Sequence, residues 1–176
     1  VDKRTQDDFN SQLEQMPNKS VYDLTFKRGM NITLHIPSMY YDFESTTGFH
    51  YASLVGGGHT GKKSAKISPT TTAHQQAGLN LEAYTSYTIR TWMKSPSTGA
   101  HNIGIRLGQG KGLNQEFQLN GNGWKLVELS FNTGDKPENF YGIAIDNKGK
   151  SELYFDDLSI TKWSATEDLA RNHVVS

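Results

Sequence analysis

Residues 81–94, LEAYTSYTIRTWMK, decide how this chain is read. Tyr87, Ile89, Thr91 and Met93 fall on one side of an extended backbone, and Thr88, Arg90, Trp92 and Lys94 fall on the other. Such alternation in β-branched and aromatic residues predicts a strand of a two-layer all-β domain.

The pattern repeats downstream. Residues 102–107 place Ile103, Ile105 and Leu107 on one face, and residues 115–119 do the same with Phe117 and Leu119. Asn120-Gly121-Asn122-Gly123 is a strong turn signal. Further strands are expected at 124–131 (burying Val127, Leu129 and Phe131), 140–146 (Tyr141, Ile143 and Ile145) and 153–160 (Tyr154, Leu158 and Ile160). Upstream, 49–55 and 64–68 read as strands, with Pro69 closing the second, and 74–79 reads as a weaker one. No helical pattern separates these runs, so a parallel α/β sheet is excluded and a β-sandwich, with jelly-roll topology, is the economical fold.

The flanks differ in character. Phe9, Leu13 and Met16 recur at helical spacing behind a Thr5 cap, and Pro17 stops that helix. Residues 21–26 and 31–36 then read as a hairpin about Arg28-Gly29. The division that follows is an N-terminal helix-plus-hairpin extension or interdomain junction at 1–38, a sandwich at 39–163, and a polar C-terminal linker at 164–176.

A chain of 176 residues with 35% hydrophobic and 11% aromatic residues can build a real core. Eighteen basic residues balance eighteen acidic ones, which argues against nucleic acid and against an anionic membrane surface as partners. No apolar run reaches the ~20 residues that span a bilayer. The chain lacks cysteine, which rules out disulfides and thiolate chemistry. It does not open on Met and carries no signal-peptide pattern, so Val1 is expected to be a cut or processing boundary.

Gly56-Gly-Gly-His-Thr-Gly-Lys-Lys63 imitates a phosphate loop, but Lys63 stands where a Ser or Thr must hold magnesium, and a strand rather than a helix follows. The six histidines show no HxxxH or HExxH spacing, and no G-x-S-x-G elbow is present. The chain is therefore expected not to be an enzyme. Asp156-Asp157 interrupts an apolar strand, and strict alternation points Asp156 towards the core. A buried carboxylate needs a partner, which leaves a capped or Lys-paired Asp on one side and a Ca²⁺ ligand, with Glu44 as second carboxylate, on the other.

Three features then line up in order: Tyr41-Asp42-Phe43-Glu44, His59-Thr60-Gly61-Lys62-Lys63-Ser64-Ala65-Lys66-Ile67, and Tyr154-Phe155-Asp156-Asp157-Leu158. With residues 87–94 and 124–131 between them, residues 40–162 resemble the jelly-roll carbohydrate-binding modules that accompany bacterial polysaccharide-degrading enzymes and surface proteins. The resemblance implies a structural Ca²⁺ held by Glu44, the main chain near Lys63, and Asp156, with Asp42 as a further ligand. It implies a sugar-facing sheet made from the strands at 74–79, 102–107, 115–119 and 140–146. The ligand-binding positions on that sheet would be Gln76 (or its neighbour Gln75), Asn102, Arg106, Glu116, Gln118 and Asp146. The aromatic residues nearest it are Phe140 and Tyr84, while Trp92 and Trp124 belong to the opposite sheet. The implied role is that of a non-catalytic polysaccharide-binding module of a larger bacterial extracellular or cell-surface protein. The alternative is a structural or adhesion sandwich that uses its faces for contacts with adjoining domains.

Overall fold

The computed structural model describes residues 38–163, together with the backbone of Asp23–Thr25 and Thr33–His35. These two short strands, β1 (Asp23–Thr25) and β2 (Thr33–His35), pair antiparallel as the expected hairpin. The helix expected at 5–16 and the linker expected at 164–176 lie outside the described residues.

Residues 38–163 form a β-sandwich, with no α-helix among the described residues. The strands are β3 (Met39–Tyr41), β4 (Phe49–His50), β5 (Ser53–Gly56), β6 (Lys63–Ile67), β7 (Thr72–Gln75), β8 (Ser86–Lys94), β9 (Ala100–Leu107), β10 (Leu113–Asn120), β11 (Lys125–Asn132), β12 (Ile143–Asn147) and β13 (Leu153–Lys162). One sheet runs β10-β9-β12-β7-β4 and the other β11-β8-β13-β6-β5, with β3 added along β13. All pairings are antiparallel. This all-β jelly-roll architecture is the one the sequence predicts.

Alternation places the core. Tyr87, Ile89, Thr91 and Met93 of β8 point inward, as do Ile103, Ile105 and Leu107 of β9. Phe155 meets Phe43 and Phe49 edge to face at 4.9 and 5.5 Å between centroids, while Phe43 and Phe49 lie tilted to each other at 6.2 Å in the core. Each such ring buried from water stabilises the fold by roughly 1.5–3 kcal/mol.

Four expectations need correcting. The run 49–55 is two strands: the chain turns at Tyr51, which has φ of 65°, and passes from the five-stranded sheet to the six-stranded one. The strand expected at 74–79 is β7, and it ends at Gln75. Gln75 is buried with its amide bonded to Tyr41 and to the Ile143 N–H, so Gln76 is an exposed turn residue rather than a sheet position. Tyr141 precedes β12 and is 53% exposed, not buried. Strict alternation also fails in β13, where Leu153 and Phe155 face inward before Asp156 and Leu158 and Ile160 do so after it. Asp156 pairs with Trp92 and Ser159 with Arg90, so three steps of β13 oppose two of β8. The extra residue is a β-bulge, Asp157 takes φ of 51°, and Tyr154 and Asp156 lie on the outer side.

Buried His101 bridges Ser95 and Asn147 at 2.7 Å each, and the Asn147 amide donates to the carbonyls of Ile67, Ser68 and Ser151. A Cβ on Gly149 would fall 2.3–2.6 Å from the imidazole. Gly149→Ala is therefore expected to destabilise the fold by about 1–3 kcal/mol, as overpacking does, measured as a lower urea midpoint with unchanged m. An unchanged midpoint would show that this network gives way freely.

Candidate functional site

Two places on the sandwich gather polar side chains. The first is the outer face of the five-stranded sheet. Register sets its rows: Asn114, Arg106, Ala144, His74 and His50 lie across one row, and Glu116, Gly104, Asp146 and Thr72 across the next. Gln118 and Asn102 pair in a third. The small residues Ala144 and Gly104 lie mid-row and lower the floor. At Gly104 a Cβ would stand 3.3 Å from both Asp146 Oδ2 and Lys148 Cε, so glycine lets those side chains cross the strand.

Arg106 donates through Nε (2.8 Å) and Nη2 (3.0 Å) to the two oxygens of Asp146, and Thr72 Oγ1 donates to Asp146 Oδ1. The hydrogen bond to Asp146 raises the Arg106 pKa. Burial alone would push the Asp146 carboxyl up, but the hydrogen bonds from Arg106 and Thr72 outweigh it and hold it below the usual carboxylate range. Two of the five guanidinium N–H groups are thus committed, and the fork is held rigid for its remaining donors. Lys148 pairs with Glu116, and Gln118 donates to Asn102 at 3.4 Å.

Beside Arg106 a cavity of about 300 Å³ opens between His74, Gln109, Tyr141 and Ala144. The loop carrying Gln109 packs tightly, since a Cβ on Gly108 would fall 1.9 Å from the Asn139 carbonyl oxygen. Tyr141 is 53% exposed, and Tyr51 is 75% exposed with its ring edge-on to His74 at 6.4 Å. Of the sequence-derived positions, Asn102, Arg106, Glu116, Gln118 and Asp146 do share this face, and Gln76 lies beyond the end of β7. Phe140 stacks on Phe131 at 5.1 Å against the core, and Tyr84 hydrogen-bonds through its N–H to Gly134. Neither lines the cavity. The aromatic residues that do flank this face, Tyr51 and Tyr141, stand outside regular strands, where alternation carries no information.

The second place is the bulge. It carries Asp156 and Asp157 under the loop 57–62, where Asp156 Oδ2 accepts the His59 N–H (2.8 Å) and the Thr60 N–H (3.3 Å). Asp157 accepts from Tyr40 Oη (2.6 Å) and Thr60 Oγ1 (2.8 Å), and lies 2.8 Å from His59 Nδ1. The His59 ring stacks on Trp92 at 4.0 Å. Glu44 accepts the N–H groups of Lys62 (2.7 Å) and Lys63 (2.9 Å), and Asp42 accepts that of Glu44 (3.1 Å).

A cradle of oxygens results. A Cβ on Gly58 would lie 2.4 Å from the Thr60 carbonyl oxygen, 2.6 Å from that of Lys63 and 3.0 Å from Asp156 Oδ2. Among the described residues no three acidic or histidine side chains converge as a metal cluster, so any cation here would draw on main-chain carbonyls. The donors are all hard oxygens, and the carboxylates of Asp156 and Asp157 have no lysine or arginine partner among the described residues. That chemistry fits Ca²⁺. The structure brings Lys63 and Asp156 to the cradle, sets Glu44 against the loop amides, and uses Asp42 to hold Glu44. The contribution of Thr60 escapes sequence reasoning because a carbonyl leaves no mark on residue identity.

No protein-family model and no curated protein matches this sequence. Solved structures do match its fold. The chain is similar to part of a structure of the family 22 and GH10 modules of endo-1,4-β-D-xylanase 10B from Clostridium thermocellum, complexed with xylohexaose (15% identity, TM-score 0.59). That match covers 73% of this chain and 29% of the xylanase chain. It is also similar to the family 22 xylan-binding domain of Xyn10C from Paenibacillus barcinonensis (13% identity, TM-score 0.58, 74% of this chain and 97% of that domain). A family 6 module of Cellvibrio mixtus lichenase 5A, in complex with cellotriose, matches at 12% identity and TM-score 0.54, over 73% and 100% of the two chains. The jelly-roll fold of carbohydrate-binding modules expected from the sequence is the fold of this chain.

Burial, and then the Asp157 charge, push the Asp156 carboxyl up to about 7. A raised pKa means that the folded, metal-free protein binds this proton more tightly than the unfolded chain. Its stabilising contribution is complete below the unfolded value near 4 and is lost as pH rises through about 7. In chelator, the Tm difference between wild type and Asp156→Asn is expected to widen, in favour of the amide, from pH 5 to pH 8. A difference independent of pH would show that Asp156 does not titrate in this way.

Proposed function

We propose that this chain is a non-catalytic polysaccharide-binding module, working in the groove across its five-stranded sheet within a larger bacterial extracellular or cell-surface protein. One observation carries the reading: an Arg106 fork fixed by Asp146 stands over a lowered floor, with the exposed rings of Tyr51 and Tyr141 beside it. Planar polar groups exchange hydrogen bonds with sugar hydroxyls, but each is traded against water, so apolar ring contact must supply much of the affinity. Tyr51 and Tyr141 offer that contact. The ligand-carrying neighbours hold xylohexaose and cellotriose, which makes neutral β-linked glycans the first ligands to try. Asp146 and Glu116 are each engaged by a cation, an arrangement suited to holding a ligand rather than to acid–base work.

The same reading includes a structural Ca²⁺ in the cradle, held by Asp156, the carbonyls of Thr60 and Lys63, and Glu44, with Asp42 behind it. Support comes from the converging oxygens at Gly58 and from two buried carboxylates that have no lysine or arginine partner among the described residues. The ion would neutralise that charge and tie the loop 57–62 to β13. It supplies no chemistry to the groove.

Affinity electrophoresis and calorimetry with xylohexaose, cellotriose and soluble xylan test the groove. Binding is expected, with about a tenfold or greater loss in Arg106→Ala and a roughly threefold to tenfold loss in Tyr141→Ala. A folded protein that binds none of these glycans, or binds them equally well in both variants, would overturn the reading and favour the adhesion alternative.

Calcium is tested by thermal denaturation. Ca²⁺ at a hundred times its Kd is expected to stabilise the wild type by about 2.7 kcal/mol over the chelated protein, and Asp156→Asn to lose most of that gain. Equal Tm values with and without Ca²⁺ would remove the ion from the account.

A further inference from the structure

The six-stranded sheet has an outer face that the glycan groove does not use, and one cation on it is unusually placed. Lys94 ends β8 directly opposite Tyr154 of β13. Its ammonium lies 4.9 Å from the Trp124 ring centroid and 5.3 Å from that of Tyr154. Of the three half-buried lysines among the described residues, Lys66 pairs with Glu152 and Lys162 with Glu82, whereas no carboxylate of the described residues lies within salt-bridge distance of Lys94. The rings attract the charge but do not neutralise it.

This ammonium borders a second cavity, of about 360 Å³, which is walled by Gly56, Gly57, Pro96, Asn122 and Tyr154. No heavy atom lies within 4 Å of a Cβ built on Gly56 or Gly57, so that wall is open. The Tyr154 ring is anchored by its hydroxyl, which donates to Glu152 at 2.7 Å, and Glu152 faces Lys66 in turn. The cavity therefore offers one uncompensated positive charge, one exposed side-chain amide and one fixed aromatic ring.

We propose that this cavity is a separate binding site for an acidic saccharide, with Lys94 receiving the carboxylate of a uronic acid residue. The carboxylate carries the single negative charge that one ammonium can match. The C–H face of the sugar ring suits Tyr154, and Asn122 suits a hydroxyl or the carboxylate edge. A phosphate carries more charge than one ammonium balances, and the lining residues offer no guanidinium fork to share it. The site stands on the opposite sheet from the groove and does not depend on neutral glycan binding there.

The probes are trigalacturonate, cellotriose and sodium phosphate, titrated into the whole chain by calorimetry with amide chemical-shift mapping. Trigalacturonate is expected to bind, to shift the amides of Lys94, Asn122 and Tyr154, and to weaken as salt rises. Lys94→Met keeps the stem but removes the charge and is expected to lose about tenfold or more in trigalacturonate affinity, while Lys94→Arg retains most of it. Gly56→Leu fills the cavity without touching Lys94 and is expected to block binding as well, which separates loss of the site from loss of the fold. Cellotriose binding is expected to be unchanged in all three variants. Absence of trigalacturonate binding, binding insensitive to Lys94→Met and Gly56→Leu, or loss of it on Arg106→Ala instead would overturn the proposal. So would phosphate competing as well as trigalacturonate at equal charge.

Discussion

The bulge at Asp156-Asp157 is the constraint on which the rest of this sandwich depends. A regular β13 would turn every second residue to the core, and one carboxylate would be driven into hydrocarbon at a cost of several kcal/mol. Adding one residue instead keeps both carboxylates on the outer side and still returns Leu158 and Ile160 to the core. The same insertion lets Asp157 hold Tyr40, Thr60 and His59. One local irregularity thereby fastens β3, the glycine-rich loop and the central strand of the six-stranded sheet together.

That fastening has consequences at both faces. On the outer side, His59 is held by Asp157 against Trp92 and lies edge-on to Trp124, so the loop 57–62 covers the aromatic surface that strict alternation would leave bare. The uncovered remainder is the region around Lys94. On the inner side, Phe155 stays fixed beneath Phe43 and Phe49, the latter being the last inward residue before the chain crosses between sheets at Tyr51. The exposed ring of Tyr51 therefore stands beside the groove because the ring two residues earlier is buried in the core. Packing in the core sets an aromatic residue at the rim of the opposite face.

Period-two alternation made most of the sandwich readable: β8 and β9 bury the residues it names, β11 buries Val127 and Leu129 with Phe131 half-buried, and β12 buries Ile143 and Ile145. It also found five residues of the groove face, since Asn102, Arg106, Glu116, Gln118 and Asp146 follow directly from strand phase. What it missed shares one cause. Tyr51, Tyr141 and Gln76 lie where the chain leaves the sheet, and Asp156 lies where the phase slips by one. Alternation has no prediction at such points, because side-chain direction there is set by φ and by tertiary partners.

The two cavities differ in a way that follows from charge pairing. In the groove, Asp146 and Glu116 already satisfy Arg106 and Lys148, so an arriving ligand meets a surface with oriented donors but little net field. Neutral, hydroxyl-rich ligands suit such a surface, since they ask for direction rather than charge. Around Lys94 the balance is reversed: the positive charge has rings beside it and no carboxylate, and its cost is relieved only by an anion or by water. A chain with eighteen charges of each sign could have placed a carboxylate there at little cost. With no carboxylate against Lys94 among the described residues, that charge stays open beside the cavity, and the two faces of one fold present chemically different surfaces.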